Sequence, residues 1–137
     1  MPGSQNRHQI SLPCEAASVR MARRFVAVHL HEWVDGVSAE DTIDDALLVA
    51  SELVGNAVRH CTGRIGLCVE RLAEEVEISV SDDSTKLPAA TDAVPTSESG
   101  RGLTIVGALC SAWGVRPVAG HGKAVWGRVP TVVARSA

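Results

Sequence analysis

The chain has 137 residues, which suits one compact domain, and 45% of them are apolar, enough to bury a core and to argue against global disorder. A net charge of −3 and a sequence pI near 5.9 supply no basic footprint, so nucleic-acid binding is not expected as the main activity. Three Trp, one Phe and no Tyr are too few for a base-stacking surface, and no apolar run approaches the roughly 18 residues that span a bilayer.

The polar segment Met1–Arg7 leads into no apolar run, and the expected location is cytoplasmic. In that compartment Cys14, Cys61, Cys68 and Cys110, which lack CxxC spacing, are expected to be reduced and mostly buried. His8-Gln9-Ile10-Ser11-Leu12-Pro13 alternates weakly and stops at Pro, which predicts a short edge strand. A helix is expected from Glu15 to about Trp33, because Val19, Ala22, Val26, Leu30 and Trp33 recur at helical spacing; Asp35-Gly36 closes it. Ser38 is placed to cap a second helix, with Asp41 as a loose capping box. Glu40, Asp41, Asp44 and Asp45 sit where the helix dipole favours negative charge. The stripe Ile43, Ala46, Leu47, Ala50, Leu53, Val54 and Ala57 is apolar, and the stop lies near Cys61-Thr62-Gly63.

Ile65, Leu67 and Val69, then Val76, Ile78 and Val80, alternate with polar or small neighbours on either side of a turn at Ala73-Glu74. That period predicts antiparallel strands with one covered face. From Asp83 to Gly102 the residues are mostly Ser, Thr, Pro, Asp and Gly, the composition of a long functional or disordered loop. Leu103–Leu109 reads as a third helix, preceded by Gly100-Arg101-Gly102, and Trp113–Ala119 and Lys123–Val129 read as two closing strands. The order β-α-α-β-β-loop-α-β-β predicts an α+β two-layer sandwich, with three helices on one face of a mixed, mostly antiparallel sheet. One domain is expected over 8–130, between a flexible leader, 1–7, and a C-terminal tail, 131–137.

The second helix carries the strongest chemical signal. Glu52 and Asn56 lie about 40° apart on one helix face, a carboxylate and an amide oxygen side by side. Mg²⁺ bound with phosphates needs only one or two such protein oxygens. Taken alone, the pair better suits the solvated face of an amphipathic helix, which is the norm for such residues. Asp82, at the end of a strand, can accept a hydrogen bond from an amine such as that of adenine, or can simply form a turn. Gly100-Arg101-Gly102 opens a helix whose N-terminus favours phosphate, although a lone GxG is a weak signal. Neither a Rossmann fingerprint nor a Walker A loop is present. His29 and His31, two apart on a helix, point to different sides and do not share a metal.

In this order the segments resemble the ATP-binding domain shared by gyrase, Hsp90, histidine kinases and MutL, and within it the small bacterial anti-sigma regulatory factors. The resemblance covers about Gln9 to Val129. It rests on Glu52–His60, on Val80-Ser81-Asp82-Asp83-Ser84 with Leu87-Pro88, on Gly100-Arg101-Gly102-Leu103, and on Trp113-Gly114-Val115 with Gly122-Lys123-Ala124-Val125-Trp126. It implies a Bergerat-type fold and ATP with Mg²⁺ as cofactors. It further implies Glu52 as catalytic base, Asn56 as magnesium ligand, and Asp82 and Ser84 at the base. Gly100, Arg101, Gly102 and Leu103 would meet the phosphates, and Thr85–Ser99 would form a lid.

The implied activity is serine/threonine kinase action on an anti-anti-sigma antagonist, with a sigma factor as the other partner and a possible homodimer through the first strand and helix. No direct nucleic-acid or membrane partner is implied. The alternative is a nucleotide-gated module that binds a sigma factor or other regulator without kinase turnover. Ser84 departs from a Gly common in the superfamily. Ala124 departs from a Thr whose hydroxyl helps hold the adenine site in many relatives, which puts nucleotide affinity in question. Gly55, inside the second helix, costs about 1 kcal/mol relative to Ala and raises the question of close packing.

Overall fold

The architecture comes from a computed structural model and is described for residues 6–82, 98–118 and 122–131. In chain order the elements are β1 (Arg7–Pro13), α1 (Ala17–Trp33), α2 (Ala39–Val58), β2 (Arg64–Arg71), β3 (Glu75–Asp82), α3 (Glu98–Leu109), β4 (Ala112–Pro117) and β5 (Lys123–Pro130). The sheet order is β1-β2-β3-β5-β4 with every neighbouring pair antiparallel, so β1 is the edge strand expected from its terminal Pro13. This is the α+β two-layer sandwich predicted from the element order. Ser84, residues 85–97 of the expected lid, Ala119, and the leader and tail at 1–5 and 132–137 lie outside the described residues. Among the described residues no helix is long and apolar enough to cross a membrane.

Strand alternation sorts the two faces. Leu12, Ile65, Leu67, Val69, Val76, Ile78, Val80, Val125 and Val129 point toward the helices and join one core with Ala22, Val26 and Leu30 of α1, the stripe of α2, and Leu103 and Val106 of α3. The central helix α2 packs on α1, α3, β3 and β5, which is why its apolar surface is wide enough to bury Val49 as well. Gly36, at φ +100°, turns the chain from α1 to α2 in a conformation that L side chains rarely adopt. Ser38 occupies the N-cap of α2, yet its side chain makes no capping hydrogen bond. Its carbonyl accepts from the Thr42 amide at 3.1 Å, and Glu40 and Asp41 supply the acidic first turn.

Gly127 is required where α2 and α3 close on β5. A Cβ there would stand 2.8 Å from Cys110 Sγ, 3.5 Å from Val106 Cγ1 and 3.6 Å from Val49 Cγ1. Gly127→Ala is expected to cost about 1–3 kcal/mol by overpacking, read as a lower midpoint in urea unfolding with an unchanged slope. Burial also pushes the Cys110 thiol up to about 11, which disfavours the thiolate. Gly55 has a different setting: among the described residues a Cβ built there meets nothing within 4 Å.

One cysteine pair departs from the expectation of reduced thiols. Cys14, between β1 and α1, and Cys61, just beyond α2, form a disulfide with Cα atoms 6.0 Å apart. Cys68 and Cys110 are free and half-buried. Scattered spacing gives no sign of a bridge, but the fold returns the end of α2 to the start of α1, and the 47-residue separation vanishes in space.

Candidate functional site

The site is built on the last turns of α2. Glu52 and Asn56 share a face, as their spacing requires, but the two are not equally wet. Glu52 is partly exposed, whereas Asn56 is buried at 5% exposure, so the picture of a solvated polar face fails for Asn56. Its Oδ1 atom is shielded from solvent and accepts no hydrogen bond among the described residues. Leaving a buried acceptor unsatisfied costs on the order of 1–3 kcal/mol, so a residue kept in that state calls for an explanation.

The neighbouring strand ends supply the second part. Asp82 closes β3 and is buried at 9% exposure. Directly opposite it in the ladder is Lys123, the first residue of β5, buried at 6%. The Lys123 ammonium donates to both carboxylate oxygens, at 3.1 Å to Oδ1 and 3.3 Å to Oδ2. Lys123 has the same parity as Val125 and Val129, which face the helices. Ala124 has the opposite parity and lines the open face of the sheet with Ser81 and Arg116. The concern attached to Ala124 is therefore corrected: a hydroxyl there would point away from Asp82, and Lys123 is the neighbour that sequence reading missed. The signal was present, since counting back by twos from Val129 and Val125 reaches Lys123.

The glycine motif is also placed differently from expectation. Gly100-Arg101-Gly102 lies inside the first turns of α3, which starts at Glu98, and not ahead of the helix. The Gly100 amide falls within the unpaired first turn, while the Gly102 and Leu103 amides fall where bonding to the carbonyls four residues back begins. The Leu103 side chain is a core residue at 3% exposure. Helix α3 packs on α2, the helix that carries Asn56.

Other polar groups form separate features. On the open face, Glu77 accepts from Arg116 at 2.8 Å and from Arg128 at 3.0 Å; burial alone would raise its pKa, but the two arginines bring it below the ordinary carboxylate value. A hollow of about 570 Å³ on that face is floored by small residues such as Gly66, Ser79 and Ser81, on the opposite side of the sheet from Asp82. Between β1 and α1, His8, His29 and Glu32 offer potential metal-ligand atoms within 4.8 Å of one another. The two imidazoles, however, stack face to face at 3.7 Å and 11°. Their in-plane lone pairs then run in parallel layers and do not converge on one ion, and with Phe25 edge-on to His29 and Trp33 stacked against His8 the rings form an aromatic seam.

Burial, then the neighbouring His8, lower the His29 pKa below its ordinary 6.5, against an opposing pull from Glu32. The unfolded chain therefore takes up the His29 proton first as pH falls, so stability drops on acidification below about 6.5. His29→Gln is expected to flatten the slope of melting temperature against pH between about 7.5 and 5.5, the histidine titration range.

A family model described as the histidine kinase-like ATPase domain matches residues 12–128, and no curated protein matches the chain. The matched span runs from the end of β1 through α2, the Asp82–Lys123 strand pair and α3 into β5. The chain thus belongs to the family of histidine kinase-like ATPase domains, which bind ATP, usually with Mg²⁺.

Proposed function

We propose that the protein binds Mg-ATP between the end of α2, the Asp82 end of the sheet and the first turn of α3, and acts as an anti-sigma-type regulator that phosphorylates a serine or threonine of an anti-anti-sigma protein. The observation that carries the nucleotide part is the buried Oδ1 of Asn56, which has no donor among the described residues. A hard oxygen without a donor suits a hard cation, and Mg²⁺ takes few protein ligands when phosphates complete its shell. Bound ATP with Mg²⁺ supplies the phosphoryl group and the charge neutralisation that phosphoryl transfer needs.

The chain's own residues then have distinct tasks. Asn56 holds the ion. Asp82 accepts from the base amine, with Ser84 beside it in sequence. The Gly100 amide offers a donor to phosphate charge, while Arg101, Gly102 and Leu103 set the helix turn that presents it. Glu52, one turn before Asn56 and partly exposed, is the group free to accept a proton from an incoming hydroxyl. A sigma factor and the phosphorylated antagonist are the proposed partners, and a homodimer through β1 and α1 is part of the same reading.

The test is purified protein with Mg-ATP and its antagonist. Wild-type protein should bind Mg-ATP in calorimetry and transfer phosphate to the antagonist. Glu52→Gln should keep nucleotide affinity within about threefold yet slow transfer by about 10²–10⁴-fold, the usual contribution of a general base. No heat and no thermal shift with millimolar Mg-ATP would refute the nucleotide site. Binding without transfer would leave the nucleotide-gated module as the surviving function.

A further inference from the structure

We propose that Lys123 reads the nucleobase together with Asp82, donating to the unprotonated N1 of adenine while Asp82 accepts from the adjacent exocyclic amine. This rests on the ATP-site reading above and adds a residue and a selectivity to it. The two side chains arise from directly opposed ladder positions at one end of the sheet, on the face that the helices cover. They are 8% and 4% exposed, a degree of burial that charged side chains reach only when paired. A buried ion pair is weak evidence of a stabilising role, because desolvation offsets the attraction, so another role has to be sought for it here.

The chemistry of the pair is directional. An ammonium has three donors and no acceptor, and an ionised carboxylate has acceptors only. Asp82 is the hydrogen-bond partner of Lys123 among the described residues, and two oxygens at 3.1 and 3.3 Å leave the ammonium a further N–H to offer. The Watson–Crick edge of adenine presents an amine donor beside an N1 acceptor, which matches carboxylate beside ammonium. Hypoxanthine in the same frame presents a carbonyl to the carboxylate and an N–H to the ammonium, so both contacts become repulsive. A neutral Ala at 123 would leave the carboxylate to read the amine alone.

Calorimetry with ATP, 1-deaza-ATP, which has C–H in place of N1, and ITP tests this on the unmodified chain and on Lys123→Met. The unmodified protein should bind ATP about 10- to 100-fold more tightly than 1-deaza-ATP, the size of a charged hydrogen bond, and should prefer ATP to ITP. In Lys123→Met the ATP and 1-deaza-ATP affinities should converge. Equal affinity for the two in the unmodified protein overturns the role of Lys123 while leaving the ATP site intact. So does discrimination that persists in Lys123→Met, or a preference for ITP. Absence of binding by every nucleotide overturns the ATP-site reading itself. Because Met removes an ammonium from the buried Asp82 carboxylate, folding of the variant is checked by circular dichroism, and the analogue series on the unmodified chain decides the matter if the variant unfolds.

Discussion

Reducing the Cys14–Cys61 bridge, or replacing either cysteine by Ser, should lower the stability of the protein by about 4 kcal/mol. The figure follows from the 47-residue separation: cross-linking so long a segment removes much of the conformational freedom of the unfolded chain. For a domain of this size the melting temperature should fall on the order of 10–20 °C in the presence of a reductant. The bridge joins the β1–α1 corner to the end of α2, three residues past Val58, so its loss should loosen first the helix that carries Glu52 and Asn56. Hydrogen exchange at the α2 amides should therefore quicken more than at β2 or β3. Alkylation of the unreduced, unfolded chain should label two thiols, Cys68 and Cys110. Four labelled thiols and a melting temperature insensitive to reductant would refute the bridge. In a reducing compartment the pair would be held as the dithiol, and the less stable form would be the working one.

The disulfide also marks where sequence reading ends. Alternation at Ile65-Leu67-Val69 and at Val76-Ile78-Val80 is a local signal that already states which side chains are covered, and β2 and β3 follow from it. The helical stripes of α1 and α2 are legible for the same reason. Proximity of Cys14 and Cys61 is a property of the assembled layers, and no local pattern encodes it. The start of α3 at Glu98 is hidden for another reason: Ser99, Gly100 and Gly102 are poor helix formers, and packing on α2 overrides their preference.

The site divides along the same line. Helical spacing puts Glu52 and Asn56 together, but that Asn56 is buried, and that its oxygen lacks a donor among the described residues, depends on how α2 packs against its neighbours. Lys123 is the reverse case. Its facing is readable from strand parity, whereas the adjacent Ala124, which differs from a motif Thr, faces the opposite side of the sheet.

Asn56→Leu should make the nucleotide-free protein more stable while removing Mg-ATP binding. Leu has the same branching and number of side-chain heavy atoms as Asn, though its methyl groups are bulkier, and it would replace an acceptor without a donor among the described residues by an apolar group on a helix whose Leu53 and Ala57 are also buried. Relief of that unsatisfied oxygen is worth about 1–3 kcal/mol, visible as a higher melting temperature without nucleotide. Affinity for Mg-ATP should fall by at least about 100-fold, because the variant lacks the ligand oxygen and offers the ion an apolar surface. Dependence of the remaining affinity on Mg²⁺ should fall as well, which a purely steric defect would not produce. The two effects have opposite signs only if the residue is retained for binding at the expense of the fold. A variant that loses stability would mean that Asn56 supports the packing of α2, and its Oδ1 would then carry no argument for magnesium. A variant that gains stability and still binds Mg-ATP at wild-type strength would move the ion away from Asn56. Gain of stability together with loss of binding is the outcome that ties the orphaned oxygen to the ion.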